Sequence, residues 1–500
     1  MPRGGVAEWL KAAVLKTASH LVWDGGSNPS PSAICCEGEL CVKRWSVRIA
    51  LALLGGLGSY VGLSVLLFVV AMHRASLSQE AHHYPPLPAL SPDDRLLIVA
   101  PHPDDEVLGC GGLIATAAAQ GIPVRVVYLT SGDAFTVAAA LTARTAPTPD
   151  ECLQLGQVRM QEAQQALAQL GLTASDAVFL GYPDRGLLPM TIRPNRACKS
   201  SATNAAAVPY TQAQSPNAPH LASALIADLR RAIVAFQPTR VFTTHPLDDH
   251  EDHAAAALLT CEAIAHATQA GEITPPALYY YLVHYGDWPL PQGMHPSRSL
   301  TPPLGLVGEP WQAFWLDDAA LLRKRDAICA HKSQYAIMAR FLNSFVRRSE
   351  LFLPAPLPRT RYTLPTDDNP SVHLQPHADL ASVQAQPGRE GVRVSIETRE
   401  PLRAPYQVEL TLVSVDAQGN WSDTRWRYPN RRLSVRREGK ALHLWLPHRP
   451  LVNAERAYLL VRVKLYGAEL DRSGWLPIPL SGAGAGWGVP TAGSAPQSAP

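Results

Sequence analysis

Residues 96–109 read LLIVAPHPDDEVLG. The first five are apolar without alternation, the pattern of a strand covered on both faces. One histidine and three carboxylates follow at once in positions 102–106, and a helical apolar pattern then runs over 107–120. A strand passing through a polar turn into a helix is the opening of a βαβ unit. Charge crowded where a buried strand ends requires compensation, because unpaired buried carboxylates are costly.

The same alternation continues outward. RLLIVA (95–100), VRVVYLT (124–130), AVFL (177–180), RVFTT (240–244) and LYYYLVH (278–284) are short β-rich runs. Helical patterns lie between them at 107–120, 155–170, 221–236 and 252–269, ending near Gly171, Pro238 and Gly271. Strand alternating with helix predicts an α/β domain with a Rossmann-like, mostly parallel sheet and helices on both faces, whose ligands gather at the carboxyl ends of the strands. After a proline-rich stretch, alternation of period two appears in VRVSIE (392–397), YQVELTLVSV (406–415), RLSVRR (432–437), ALHLWL (441–446) and YLLVRVKLY (458–466). These runs predict a small antiparallel β-sandwich.

At 500 residues the chain is too long for one ordinary core. The expected organisation is an N-terminal segment (1–46), a transmembrane anchor (47–74), a linker (75–93), an α/β domain (94–352), a proline-rich linker (353–380), the β-sandwich (381–480) and a disordered, low-complexity tail (481–500). The 44 basic and 42 acidic residues leave a net charge of +2, so nothing in the whole-chain charge recruits nucleic acid. Eight cysteines in this length exclude a disulfide scaffold; a Cys152–Cys198 bridge would require an oxidising compartment.

Ile49 to Met72 carries no charge. As a helix it would extend about 36 Å, enough for a hydrocarbon core of about 30 Å, and it is too long for the apolar core of a signal peptide. Lys43, Arg44 and Arg48 precede it and only Arg74 follows closely. That bias predicts a single-pass anchor with the N-terminus inside and the α/β domain extracytoplasmic, in the periplasm or on the cell surface. A buried core helix is the alternative. The first 34 residues resemble the conceptual translation of a transfer RNA gene, and a start near Leu40 or Val42 would leave a short basic region before the anchor.

His102 and Asp105 stand three apart on the turn that leaves the first strand, a spacing that lets both side chains reach one ion. A second cluster, THPLDDHEDH (244–253), leaves the RVFTT strand in the same way and supplies His245, His250 and His253 with several carboxylates. Two histidines, one carboxylate and an open position filled by water make the arrangement of catalytic zinc. A cation would also compensate the crowded carboxylates.

PHPDDE followed by GCGG, then Arg159 and Glu162 in RMQEAQQALAQLG, GYPDRGL (181–187), HEDH (250–253) and HKSQY (331–335) resemble, in order and spacing, the PIG-L/LmbE-like family of zinc-dependent N-acetylglucosaminyl deacetylases. The likeness spans roughly 93–352. It implies His102, Asp105 and His253 as ligands of zinc, ferrous iron or another divalent cation. It implies Asp104 as general base on the activated water, His250 as the group that stabilises or protonates the tetrahedral intermediate, and Asp252 as its orienting partner. Arg159 and Asp184 match the sugar-contacting residues. The implied substrate is an amino sugar of the N-acetylglucosamine type in a glycan, glycolipid or glycoconjugate, cleaved at its acetamide. An amidase for a larger acyl group or conjugate, or a non-catalytic glycan-binding protein, are the alternative readings. Glu251 stands where the family prefers proline, and the stretch 193–220 lies between the matched motifs.

The chemistry is consistent with these residue types. Amide hydrolysis needs a polarised carbonyl, a base for water and an acid for the departing nitrogen. Asp104, next to Asp105, can reach the water without being a ligand, and His250 lies one helical turn before His253. Plainer roles compete at several positions. Glu106 reads as a helix N-terminal carboxylate, Arg159 and Glu162 as a surface i,i+3 pair, and His245 as structural. GCGGLI lacks the third glycine of a dinucleotide fingerprint. The β-sandwich offers no aromatic platform, so a structural appendage is its plainest role.

Overall fold

The computed structural model describes residues 84–135, 147–355, 358–364, 375–388, 391–430 and 433–480, together with Gly55 and Ser59. Those two positions aside, the expected anchor (47–74) lies outside this set, as do the segment 1–46 and the tail 481–500. Among the described residues no helix is long and apolar enough to cross a membrane.

The first part of the chain runs β1 (Leu96–Ala100), α1 (Asp105–Ala119), β2 (Val124–Thr130), α2 (Pro149–Gln169), β3 (Ala177–Tyr182), α3 (Leu187–Ile192), α4 (Ala222–Phe236), β4 (Arg240–Thr244), α5 (Glu251–Gln269), β5 (Ala277–Tyr281), β6 (Gln312–Trp315), α6 (Asp318–Ala330), α7 (Lys332–Asn343) and β7 (Ser349–Pro354). Their strands form one seven-stranded sheet in the order β3-β2-β1-β4-β5-β7-β6, parallel from β3 to β5 and antiparallel at β7 and β6. The strand order reverses direction between β1 and β4. Right-handed crossovers on either side of that point send α1 and α2 to one face and α4 and α5 to the other. The result is a mixed α/β fold with a parallel-rich sheet, and its crevice opens at the carboxyl ends of β1 and β4, where both polar clusters begin.

Local chemistry explains why these segments fold as they do. Thr148 and Glu151 form a capping box at the start of α2, with the Glu151 carboxylate accepting the Thr148 N–H at 2.6 Å and Pro149 filling the first helical position. Such a cap contributes about 1 kcal/mol. The glycines of GCGG serve close packing, not a dinucleotide loop: a Cβ at Gly109 would overlap the Tyr281 ring, and one at Gly112 would overlap Leu316. A buried ion pair, Lys324 Nζ to Glu350 Oε1 at 2.6 Å, braces the middle of α1. Lys324 donates to the Leu108 carbonyl (2.8 Å), and Glu350 accepts from the N–H groups of Gly112 (2.7 Å) and Leu113 (2.9 Å).

The second part contains β8 (Arg361–Thr363), β9 (Leu380–Gly388), β10 (Gly391–Thr398), β11 (Gln407–Asp416), β12 (Trp421–Tyr428), β13 (Val435–Glu438), β14 (Ala441–Pro447), β15 (Ala454–Leu465) and β16 (Ala468–Ile478). They form a five-stranded sheet (β13-β14-β10-β9-β8) and a four-stranded sheet (β12-β11-β15-β16), both antiparallel. Val392, Val394 and Ile396 of the first meet Val408, Leu410, Leu412, Leu459 and Val461 of the second in one apolar core.

Three expectations need correction here. The stretch 353–380 is not a plain linker, because β8 lies within it and pairs with β9, and Leu364 and Ala378 are buried in the second core. The linker 75–93 packs where it is described: Leu87 joins the first core and its N–H donates to the Ala313 carbonyl at 2.9 Å. The β-region is also not a separate appendage. Val413, Val415, Tyr458, Leu460 and Trp475, on the opposite face of the four-stranded sheet, belong to the α/β core. With period-two alternation, β11 and β15 thus bury both faces, each against a different core. Cys152 and Cys198 are free thiols.

Candidate metal centre

The turn after β1 is strained and held on every side. Asp104, capping α1, has φ 129° and ψ −28°, a region that non-glycine residues rarely adopt, at a cost of order 1–3 kcal/mol. Its N–H donates to Glu106 Oε2 (3.0 Å). Arg159, buried on α2, donates to the carbonyls of Pro103 (2.7 Å) and Gly132 (2.9 Å) and lies 3.3 Å from Asp104 Oδ1. A side chain at Gly132, where φ is +67°, would overlap that guanidinium. Glu162 is equally engaged, accepting from the N–H (2.8 Å) and hydroxyl (2.6 Å) of Ser333 at the start of α7. Neither residue belongs to a surface pair. Glu106 does support the helix start, and His331 lies 3.5 Å from its other oxygen.

The loop after β4 brings the second cluster across the crevice. His102 Nδ1, Asp105 Oδ2 and His253 Nε2 form a triangle with edges of 3.1, 3.1 and 3.2 Å. Around a tetrahedral ion with bonds of about 2.0–2.1 Å, ligand atoms stand roughly 3.3 Å apart, so these three atoms fit one face of such a site. The far nitrogen of each histidine meets a carboxylate. Asp184 Oδ1 and Asp252 Oδ2 lie 3.2 and 3.3 Å from His102 Nε2, and Asp248 Oδ2 lies 3.2 Å from His253 Nδ1. Carboxylate–histidine pairs of this kind orient metal-binding imidazoles.

The electrostatics point the same way. Burial would hold both histidines neutral, yet the surrounding carboxylates overrule it. His102 is pushed well above its ordinary 6.5 by Asp184, Asp105 and Asp252, and His253 is raised to about 9 by Asp105 and Asp248. Asp105 sits well below the usual range because His253 and His102 outweigh its burial. Carboxylates that recruit protons onto two neighbouring imidazoles form a pocket suited to a cation. Asp104 differs: burial pushes it up to about 6, with Arg159 opposing and Asp105 adding to the rise.

Several expected residues sit where the sequence places them, but two have different neighbours. Asp252 does not orient His250 through its carboxylate. That carboxylate accepts from the N–H groups of Arg185 (2.6 Å) and Leu187 (3.0 Å) and faces His102, while His250 Nδ1 accepts the Asp252 N–H at 3.3 Å. Asp184 has one oxygen on His102 and the other on the Ala134 N–H (2.8 Å). His250 is held neutral by burial and by His102 and His253 beside it. With Nδ1 accepting, a neutral ring carries its proton on Nε2. His245 is structural: Nδ1 accepts the Leu247 N–H at 3.0 Å, and the ring stacks on Trp311. In the stretch 193–220, buried Tyr210 donates to Asp133 at 2.6 Å.

Sequence reasoning missed Asp248 and His284. Asp248 accepts from the N–H groups of His250, Val283 and His284 at 2.9–3.0 Å, tying the loop to the end of β5. His284 stacks on Phe341, with its ring centre 4.9 Å from that of His253. Its signal was a polar residue closing the apolar run 278–284, at the carboxyl end of a parallel strand. A cavity of ≈ 150 Å³ reaches His102 and Asp105 and is lined by the polar Asp104, Arg159, Asp184 and His250 together with the apolar Leu108, Met338, Phe341 and Leu342.

Residues 97–264 match the family described as PIG-L, GlcNAc-PI de-N-acetylase. A 1D-myo-inositol 2-acetamido-2-deoxy-alpha-D-glucopyranoside deacetylase from Thermobifida fusca is 31% identical over 179 residues, which is 35% of this chain and 56% of that protein. The Nocardia farcinica protein of the same name is 32% identical over 194 residues, covering 38% and 58%. The chain thus spans just over half the length of these curated relatives. Among solved structures, the N,N'-diacetylchitobiose deacetylase from Pyrococcus horikoshii aligns with 53% of this chain and 84% of its own, at 20% identity and a TM-score of 0.35. By the match over residues 97–264, the chain carries a PIG-L family domain.

Proposed function

We propose that this chain is a metal-dependent N-deacetylase that hydrolyses the acetamide of an N-acetylglucosamine-type sugar. The observation that carries the reading is the triangle of His102 Nδ1, Asp105 Oδ2 and His253 Nε2, spaced for one divalent ion and backed by carboxylates. The names of the curated relatives, deacetylases of a 2-acetamido sugar, support the substrate class.

When bound there, zinc or ferrous iron supplies Lewis acidity toward the acetamide carbonyl and lowers the pKa of water toward about 7. The side chains supply the rest. Asp104, raised to about 6, is poised to take a proton from water near neutral pH. It lines the cavity beside Asp105, with Arg159 3.3 Å from its Oδ1. His250, neutral with its proton on Nε2, serves as hydrogen-bond donor to the oxygen that becomes negative, and Asp252 supports His102. Arg159 and Asp184 reach the same cavity and are the sugar-side polar groups. The apolar wall of Met338, Phe341 and Leu342 favours a second reading, in which the acyl group is longer than acetyl.

The anchor belongs to this reading through the sequence alone: the uncharged run 49–72, with Lys43, Arg44 and Arg48 before it, supports a domain at the outer face of a membrane. A reporter fused after Pro500 that is active only in the cytosol would reverse that orientation. The enzymology is tested by carboxylate release from 2-acetamido sugars and longer N-acyl homologues, with and without chelator. Acetate release that disappears with chelator and returns with zinc or ferrous iron is expected. Release indifferent to chelator would end the metal reading.

A further inference from the structure

The loop between β4 and α5 is held from outside the α/β core. Arg472, on β16, donates from Nη2 to the Asp248 carbonyl at 3.3 Å and to the Asp249 carbonyl, while Nη1 lies 3.2 Å from Glu469 and 3.8 Å from Glu251. One of these carbonyls belongs to Asp248, whose carboxylate faces His253, and the other to the residue after it. The strand is shaped for the contact. Its pairing with β15 passes from Leu460↔Trp475 to Arg462↔Arg472, so Ser473 and Gly474 stand opposite Val461 alone. Such a bulge redirects the side chains beside it. Gly474 has φ +62°, and a Cβ there would overlap the Pro246 carbonyl oxygen, so glycine lets the strand meet the loop. Behind the loop, Arg456 and Tyr458 of β15 bind Glu262 of α5 at 2.9 and 2.5 Å, all three buried.

We propose that Arg472 is a positioning residue of the metal centre. By holding the carbonyls of Asp248 and Asp249 it fixes the Asp248 carboxylate against His253, so the C-terminal sheets complete the site instead of decorating it. The inference rests on the ligand assignment in the proposed function. Glu251 is the first residue of α5, the position where proline restrains a helix start best and where the resembled motif prefers it. Here the restraint comes from a distant strand. The 3.8 Å contact with half-exposed Glu251 is a weak arm of the clamp, and the two carbonyls are the strong one.

The test measures zinc affinity against a chromophoric chelator, and amide hydrogen exchange across 245–253, in the full chain and in R472A, R472K and R472A/E251P. Exchange reports on the loop without reference to turnover. R472A should lower zinc affinity about tenfold and speed exchange in 245–253 while sparing 102–106. Lysine, whose single ammonium on a shorter stem would have to serve both carbonyls and Glu469 at once, should recover only part of the loss, and proline at 251 should recover part by itself. Affinity within twofold of wild type, or exchange rising across β15 and β16 as much as in the loop, overturns the proposal. Zinc binding that responds to Arg472 in a chain releasing no acetate would instead sink the deacetylase reading alone.

Discussion

The turn 102–106 and the loop 245–253 contribute to the same triangle but are secured in opposite ways. Every brace on the turn comes from the α/β fold: Arg159 from α2, Glu106 from α1 and His331 from the start of α7. The loop takes its braces from the segment just after β5 through Asp248 and from β16 through Arg472 and Gly474. A turn pinned by its own domain can carry backbone strain at Asp104. A loop leaning on another sheet depends on how that sheet docks.

The largest effect expected from probing this contrast is on Asp104. Asp104→Asn should reduce kcat about 10³-fold with metal content unchanged, because a positioned base contributes roughly 10²–10⁴-fold. His253→Ala should lose the metal itself. Equal metal loss in both, read by elemental analysis, would erase the distinction between base and ligand.

Next is Arg159→Met, which strips donors from two buried carbonyls and a countercharge from Asp104. A loss of about 3 kcal/mol in denaturant unfolding is expected, the scale of breaking a buried ionic contact. Combined with Arg472→Ala, its effect should add within about 0.5 kcal/mol, since the two arginines share no partner. Strong non-additivity would mean the turn and loop are braced as one unit.

The antiparallel sheets also carry a titratable group. His448, between the hydroxyls of Ser414 and Thr424 (both 2.8 Å), is held down at about 4 by burial. Its folded-state pKa lies below the ordinary 6.5, so the stability this contributes is complete above pH 6.5 and is lost as pH falls toward 4. The melting temperature should drop between pH 7 and pH 5, and the drop should shrink in His448→Gln. An identical drop in the variant would remove His448 as its source. The smallest effect belongs to Glu251→Gln: its ion pair is long and half exposed, so stability should change by less than about 0.5 kcal/mol. A loss above 1 kcal/mol would make Glu251 a principal arm of the clamp.

Much of the α/β fold was legible. The runs 124–130 and 240–244 are β2 and β4 residue for residue, because strands covered on both faces are dense in apolar and β-branched residues. QAFW in β6 and SELFLP in β7 escaped, being short and mixed: β6 follows β5 with no α-helix between them, and β7 enters the sheet by antiparallel pairing with both neighbours. β8 hid in the proline-rich stretch, β9 carries polar residues and Pro387, and β16 is interrupted by Gly474 and Pro477. The bulge that hides β16 from pattern reading is the feature that aims Arg472.

What the residues determined by themselves is the pairing of polar clusters with strand ends: hydrophobic runs specify where strands stop, and His102, Asp105 and His253 must then lie at the crevice where the strand order reverses. What only the tertiary structure decided is which neighbour each polar group meets. Asp252 and Asp184 turn to His102, Asp248 turns to His253, and Arg472 arrives from more than two hundred positions away. Hydrogen-bond partners over such separations depend on the register and docking of whole sheets, and no local pattern encodes them.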